Sequence, residues 1–193
     1  RAKRVGGKVA SALTKMLEAR GHEVMVLDPR ETYLGSDGEP FFMRLMEKAA
    51  FHYKEGEVVP PPLAEAAAMM KSADAYVLCS PEMNHTISPG LTNTMNYFGS
   101  STYAYKPSGL ATYSAGLWGG TRCAVALRAY ASELGCLPVS ATMTLPGAWK
   151  SEGVFDDEGK LVEGTMGAKT AGRMLDQLIW HAKSMRAARE AGA

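Results

Sequence analysis

The sequence lacks the features that mark several large classes of protein. It has only three cysteines, Cys79, Cys123 and Cys136, which are too widely spaced for a disulfide framework or a Cys-x-x-Cys metal site. The net charge is +1, so the charge balance gives no indication of nucleic acid or an anionic membrane as a partner. With 46% hydrophobic residues, residues 1–193 suffice for one domain with its own core. We therefore expect a single domain over residues 1–193. Because free cysteines suit a reducing compartment, we expect the protein to be cytoplasmic.

Charge is also scarce in the middle of the chain, where residues 83–121 contain one charged side chain, Lys106. A long uncharged stretch raises the question of a membrane span. Proline, glycine, asparagine, serine and threonine interrupt this one throughout, so we expect none. The small polar residues favour a segment that lines a pocket or an interface, with a buried core segment as the alternative.

The sequence does contain a regular alternation of helical and strand patterns. Apolar residues at helical spacing and their capping residues predict helices over residues 6–20, 41–50, 62–71, 89–98, 121–134 and 165–190. Short apolar runs predict strands over residues 22–27, 75–79, 110–114 and 137–145. This alternation is typical of an α/β protein with a parallel sheet.

The chain begins in a predicted helix, although a doubly wound domain normally begins with a strand. We therefore expect an apolar strand, with a short loop, of about ten residues upstream of Arg1. In such a domain, ligands bind beyond the carboxyl ends of the strands.

Three segments are expected at this carboxyl edge. Residues 1–7 combine basic side chains and glycines with a helix N-terminus, which suits a phosphate. Residues 80–86 form a polar loop after a buried strand. Residues 114–120 contain three glycines and Trp118, a ring that can stack on a flat ligand. The alternatives are a solvated chain terminus, a plain turn and a packing role for Trp118.

The sequence Ser-Pro-Glu-Met-Asn-His at 80–85 resembles the "PEYN" loop of the NAD(P)H-dependent FMN reductase family. The glycine loop at 114–120, followed by Leu127-Arg128, resembles that family's second flavin loop. Residues 89–98 and Lys106-Pro107 resemble its helix-then-"KP" passage. Arg1-Ala2-Lys3-Arg4 is similar to the end of its phosphate loop, "GSxRxxR". The resemblance covers nearly the whole chain.

The resemblance implies a flavodoxin-like, doubly wound, parallel five-stranded sheet of order 2-1-3-4-5, whose first strand would precede Arg1. It also implies FMN as cofactor, with these roles for its ligands. The phosphate would be held by Arg1, Arg4, Val5 and Gly6. The isoalloxazine and ribityl chain would be lined by Pro81, Glu82, Met83, Asn84 and His85. The pyrimidine side of the ring would face Ser114, Gly116, Trp118, Gly119 and Gly120. Met83 departs from the family, which usually has tyrosine there, so stacking at the exposed flavin face is expected to differ.

The function implied is that of an FMN-dependent oxidoreductase. NADPH or NADH would supply hydride to the flavin, and a small-molecule acceptor such as a quinone, an azo compound or free flavin would take the electrons in a ping-pong route. The protein would need no catalytic acid or base and no metal. The family's dimers imply a homodimer or homotetramer, and the four aromatics between Asn93 and Tyr105 exceed what one flavin needs.

Two other functions stay open from the sequence. A flavodoxin-like electron carrier or redox-sensing FMN module would bind the cofactor without turnover, although carriers of that type tend to be acidic. A serine hydrolase would use Ser114, but Thr112 and Gly116 supply only half of a Gly-x-Ser-x-Gly elbow.

Overall fold

A three-stranded parallel sheet lies at the centre of the protein, seen in a computed structural model that describes residues 4–150 and 153–192. Its strands are β1 (Tyr76–Pro81), β2 (Pro107–Tyr113) and β3 (Leu137–Leu145), in the order β1-β2-β3. The helices are α1 (Gly6–Glu18), α2 (Pro61–Ser72), α3 (Pro89–Asn96), α4 (Ser100–Tyr103), α5 (Thr121–Glu133) and α6 (Met166–Glu190). Short 3-10 helices span Phe41–Met43, Ala50–His52 and Ala148–Lys150.

The strand register brings the carboxyl ends of the three strands level. Tyr76 lies opposite Ser108 at the start of β1, and Pro81 lies opposite Tyr113 at its end. Tyr113 in turn lies opposite Leu145, the last residue of β3. The loops that follow the strands therefore all leave from one edge of the sheet.

Helices cover both faces of the sheet, which explains why β1 is apolar without alternation and why β2 is buried along nearly its whole length. Leu110 points to one face, where it packs in a cluster with Leu63 of α2 and Leu127 of α5. The next residue, Ala111, belongs to the cluster on the opposite face with Val9 of α1 and Met174 of α6. The period of two along β2 thus divides the core into two halves.

Most of the predicted elements are confirmed, with ends within three residues of the prediction. The predicted helix over 41–50 is an exception, because only Phe41–Met43 and Ala50–His52 form 3-10 turns. The prediction placed Phe42, Leu45 and Met46 inward. Phe42 is fully buried, Met46 is half-buried and Leu45 is 90% exposed.

The predicted strand over residues 22–27 is not found in the structure, where this stretch forms no ladder. Met25 and Val26 are exposed instead of packed. A strand requires a hydrogen-bonding neighbour. In the predicted order that neighbour is the first strand, which none of the described residues supplies.

The aromatics between Asn93 and Tyr105 serve the protein's own core. Tyr97, Phe98 and Tyr103 are all buried in the cluster on the α5 face, and only Tyr105 is exposed. Their number therefore no longer supports an interface between subunits.

Lys106, the single charge in the uncharged middle, stabilises the opposite edge of the sheet. Its buried Nζ donates to the carbonyl oxygens of Met70 and Lys71 and to the hydroxyl of Tyr76, at 2.7–3.1 Å. These carbonyls lie in the last turn of α2, where they have no intrahelical donor, and the Met70 carbonyl also accepts a bond from the Tyr76 hydroxyl at 2.8 Å. The lysine therefore holds α2 to the start of the sheet, away from the predicted site.

Candidate cofactor-binding site

The carboxyl edge of the sheet brings two of the predicted ring loops together through backbone hydrogen bonds. The N–H of Glu82 donates to the carbonyl of Tyr113 at 2.8 Å, which ties the first loop to the end of β2. The N–H of Ser114 donates to the carbonyl of Leu145 at 3.1 Å, and the N–H of Leu145 donates to that of Gly119 at 3.0 Å. Both loops are thereby fixed to the ends of the strands.

The first loop ends in a tight two-residue turn. Met83 and Thr86 exchange two backbone hydrogen bonds of 3.0 Å, with Asn84 and His85 between them at φ of 49° and 65°. Two positive φ values define a primed turn, and asparagine and histidine are among the residues that tolerate this region. The side chains of these four residues are exposed, so Met83, Asn84 and His85 stand at the surface of the edge.

The Glu82 side chain turns away from this surface and reaches the first turn of α5. Its carboxylate accepts hydrogen bonds from the backbone N–H groups of Arg122, at 3.1 Å, and Cys123, at 3.3 Å. It also pairs with the Arg122 guanidinium, at 2.7 and 2.9 Å, and is only 5% exposed. Burial alone would raise the pKa of Glu82, but the bonds from Arg122 and from the helix N–H groups outweigh it and lower this pKa.

The glycines of the second loop serve two different purposes. Gly119 and Gly120 are buried, with φ of 60° and 90°. A Cβ on Gly119 would lie 2.8 Å from the backbone N of Pro146, and one on Gly120 would lie 2.8 Å from that of Tyr113. These two glycines therefore let the loop approach the strands. Gly116 is exposed, and a Cβ there meets nothing within 4 Å, so this glycine leaves open space at the edge.

The remaining predicted side chains of this loop differ in exposure. Ser114 is half-buried, and its hydroxyl donates to the Gly116 carbonyl at 3.1 Å, so its proton is bound within the loop and not by a base. This arrangement does not favour the serine hydrolase alternative. Trp118 is 63% exposed, while its carbonyl accepts bonds from the N–H and hydroxyl of Thr121 at 3.0 and 2.7 Å. Pro81, the last residue of β1, is half-buried beside these loops.

The predicted phosphate end is the start of α1. Val5 is the N-cap residue, and Gly6 lies so near β2 that a Cβ would come 2.7 Å from the Tyr113 hydroxyl. The first N–H groups of any α-helix lack an intrahelical acceptor and suit an anion. Arg1 lies outside the described residues.

Arg4 is engaged with two carboxylates. Its guanidinium bonds Asp28, at 2.7 and 2.9 Å, and Glu31, at 2.5 Å. The bond to Asp28 is the main cause of a pKa of Arg4 above its ordinary value. Burial acts to raise the pKa of Asp28, but the ion pair with Arg4 and the backbone N–H groups of Arg30 and Glu31 together outweigh it and lower this pKa. To hold a phosphate, Arg4 would have to exchange these carboxylates for it.

These residues fit FMN in their chemistry. A helix N-terminus with a nearby arginine, which suits an anion, lies at one end, and exposed Met83 and Trp118 lie on the loops that follow the strands. The open space at Gly116 leaves room for a ligand there. Two surface cavities of about 310 and 370 Å³ lie elsewhere, beside Lys106 and beside Tyr33, and no predicted site residue lines either. The candidate site is thus an open edge of the molecule.

Sequence reasoning missed three residues of this edge. Arg122 could have been found from its place in the first turn of α5, directly after the two glycines. Asp28 directly follows the apolar run at 22–27, so a strand there would have placed it at the carboxyl edge of the sheet. Tyr113, whose hydroxyl lies beside Gly6, has no sequence pattern that distinguishes it from other strand residues.

Within residues 4–150 and 153–192, no group of three or more histidine, cysteine, aspartate or glutamate side chains could hold a metal ion. In the same part of the chain, no helix is both long and apolar enough to span a bilayer. All three cysteines are free.

Solved structures share this fold. The flavoenzyme FerB, an NAD(P)H:(acceptor) oxidoreductase from Paracoccus denitrificans, superposes with a TM-score of 0.70 at 17% identity, over 95% of this chain and 92% of its own. An oxidoreductase from Corynebacterium diphtheriae gives 0.62 at 16% identity, over 92% and 86%. The protein is therefore an α/β protein with a parallel sheet and flavodoxin-like structural neighbours.

The family of the chain follows from a match between its sequence and a family model. Residues 1–150 match the family model of NADPH-dependent FMN reductases, and the chain belongs to this family. An NADPH azoreductase from Bacillus sp. (strain OY1-2) is 23% identical over 124 residues, or 64% of this chain and 70% of that protein. The chain is thus an NAD(P)H-dependent oxidoreductase that uses FMN, which confirms the enzyme class and the cofactors expected from the resemblance.

The two glycine environments predict unequal costs for the same substitution. Gly120→Ala is expected to lower the free energy of unfolding by about 2 kcal/mol or more, because alanine disfavours positive φ and its Cβ would press on β2. Gly116→Ala is the matched control and is expected to stay within about 0.5 kcal/mol. Urea unfolding measures both, and equal losses would contradict the assignment.

The buried carboxylate predicts a pH-dependent loss of stability. Glu82→Gln is expected to cost about 1–3 kcal/mol at neutral pH, since it removes the charge from the bonds to Arg122 and the helix. Because the folded pKa is lowered, the contribution of Glu82 is present above its ordinary pKa of 4.5 and is lost as pH falls through the folded value. Urea unfolding should therefore show a difference that shrinks in acid.

The control for this variant is Glu133→Gln, an exposed carboxylate at the far end of α5, which is expected to change stability by less than about 0.5 kcal/mol. A deficit in Glu82→Gln that stays constant from neutral to acidic pH would show that the charge of Glu82 is not what stabilises the loop.

Proposed function

We propose that this protein is an FMN-dependent NAD(P)H:acceptor oxidoreductase that reduces a quinone, an azo compound, free flavin or a similar small molecule by a ping-pong route. The observation that carries the proposal is the convergence of the 82–86 turn, the 114–120 loop and the start of α1 on one sheet edge, in a chain of the FMN reductase family. When bound, FMN would accept hydride from the nicotinamide at N5 and deliver two electrons to the acceptor.

The named relatives support the choice of acceptors. One relative is named as an NADPH azoreductase, which supports an azo compound. The structural neighbour FerB is described as an NAD(P)H:(acceptor) oxidoreductase, which supports a broad acceptor range with either nucleotide. A quinone gains two electrons and two protons. The hydride of NADPH supplies both electrons and one proton, and the solvent supplies the other proton.

The residues at the edge would divide the work by position. Arg1, Arg4, Val5 and Gly6 would hold the phosphate, and the two loops would line the ring. In the first loop the exposed side chains of Met83, Asn84 and His85 are available for contact. In the second, Ser114 is half-buried, and the exposed Gly116 leaves open space beside the backbone for the ring. The carboxylate of Glu82 is held by α5, so its part would be to fix the loops.

The finer fold proposal is a five-stranded sheet of order 2-1-3-4-5, of which β1, β2 and β3 are the last three strands. The observed neighbour order β1-β2-β3 and the parallel pairing support it. In that order a further strand would pair with β1 and give residues 22–27 a hydrogen-bonding neighbour.

Cofactor loading and turnover test the proposal directly. Addition of FMN to the purified full-length protein is expected to quench flavin fluorescence, and the loaded protein should oxidise more than one equivalent of NADPH or NADH only when an acceptor is present. Stopped-flow reduction of the flavin without acceptor, followed by reoxidation on mixing with a quinone, would support the ping-pong order. A protein that binds no FMN would overturn the proposal.

Matched variants locate the phosphate in the same titration. Arg4→Gln is expected to weaken FMN binding about tenfold or more, because it removes a charge-assisted bond, while leaving riboflavin binding unchanged. Arg20→Gln is the control, since Arg20 pairs with Asp176 near the other end of α1. Equal losses for FMN and riboflavin would remove Arg4 from the phosphate site.

We further propose a homodimer or homotetramer in the cytoplasm. Exposed apolar side chains on and after the second loop support association: Leu117 is 81% and Val125 71% exposed. Three free cysteines suit a reducing compartment, which cell fractionation tests. Light scattering at micromolar concentration is expected to give two or four chains, and the mass of a single chain would contradict the assembly.

A further inference from the structure

The two ring loops are joined by an ion pair that also contacts the most exposed aromatic ring of the site. Glu82 lies next to Met83 on the first loop, and Arg122 follows the second loop. The Arg122 guanidinium carbon lies 5.9 Å from the centre of the Trp118 ring, over its face. Carboxylate, guanidinium and indole therefore form a continuous chain of contacts at the sheet edge.

The guanidinium has little freedom in this arrangement. Its Nε and one terminal nitrogen both contact the same oxygen of Glu82, at 2.9 and 2.7 Å, and the backbone N–H of Arg122 bonds the other oxygen at 3.1 Å. Because the carboxylate is buried and held by a helix terminus, it fixes the plane of the guanidinium. A planar cation fixed over a ring can hold that ring in place.

The backbone of Trp118 is fixed, while its indole ring is exposed to solvent. The Trp118 carbonyl accepts two bonds from Thr121, so the backbone is fixed, yet the residue is 63% exposed. Arg122 is the one cation over this ring among the described residues. A large apolar ring held open to solvent at the edge of a binding site is suited to stacking on a flat partner.

We propose that Trp118 is a stacking platform for flat aromatic electron acceptors, and that Arg122, oriented by Glu82, is the residue that positions it. The inference rests on the proposed function and adds the class of acceptor that the site prefers. Stacking would favour planar acceptors such as quinones over non-aromatic ones. Arg122 acts through the indole and touches no reacting atom.

Two acceptors of different shape test this preference. Menadione is flat and aromatic and takes two electrons and two protons. Ferricyanide is an octahedral ion that takes one electron, so two ions accept the two electrons of one NADPH hydride and its proton is released. The quantity compared is the ratio of the menadione KM to the ferricyanide KM in the FMN-loaded full chain. The ratio cancels changes that affect the flavin alone.

Trp118→Leu is expected to raise this ratio about two- to tenfold, the range that an aromatic stacking contact provides. Arg122→Met should raise it in the same direction, and Arg122→Lys should restore part of the preference because it keeps the charge but not the plane. In the double variant, Arg122→Met should add nothing to Trp118→Leu, since one acts through the other. Trp180→Leu, an equally exposed indole on α6, is the control and should leave the ratio unchanged.

A spectroscopic readout separates positioning from folding. With Trp149 and Trp180 replaced by phenylalanine, the emission of Trp118 should shift in Arg122→Met and return toward its original position in Arg122→Lys. Should Arg122→Met fail to fold, Trp118→Leu decides the stacking and Arg122→Lys decides the positioning.

The outcomes distinguish the inference from the proposed function. An unchanged ratio in Trp118→Leu, with turnover of ferricyanide still present, overturns the platform while the oxidoreductase stands. A rise of both KM values by the same factor also overturns it, because the indole would then serve no acceptor in particular. A wild-type chain that neither binds FMN nor oxidises the nucleotide overturns the proposed function itself.

Discussion

The arrangement of the candidate site depends on one buried carboxylate. Glu82 leaves the end of β1 and satisfies the first N–H groups of α5 together with the guanidinium of Arg122. A charged acceptor at a helix N-terminus meets both unpaired donors and the positive end of the helix dipole. Because the two loops that follow β1 and β2 meet at this carboxylate, neither can shift without breaking its bonds. The surface proposed to bind the ring thus depends for its shape on an interaction that lies beneath it.

Much of the architecture is predictable because local patterns agree with the packing. The buried-type patterns that became β1 and β2 need burial on two faces, and the helical stripes supply the covering layers. Residues 22–27 show the limit of this reasoning. Their pattern suits a strand, but strand formation depends on a neighbour supplied by another part of the chain. The helix expected over 41–50 is also absent, and Leu45, which the prediction placed inward, is exposed.

The site was predictable in position more than in detail. Glycines after a strand indicate a close approach, but the sequence does not say what is approached. Gly120 makes room for β2, and Gly116 makes room for solvent or a ligand. Likewise, an acidic residue in a "PEYN"-type loop is expected to face the ring, yet the carboxylate of Glu82 is directed at α5. Such choices depend on distances between elements far apart in sequence, which composition and spacing do not encode.

The ion pairs of Arg4 affect how tightly the site can hold its cofactor. Arg4 is not an unpaired cation, because its guanidinium already forms ion pairs with Asp28 and Glu31. Under its proposed role, binding a phosphate exchanges one set of ion pairs for another, and two carboxylates return to water or remain close to a new anion. The affinity is then a difference between competing electrostatic contacts. Salt would weaken both sides of that exchange, so the cofactor should respond to ionic strength less than the charge on its phosphate suggests.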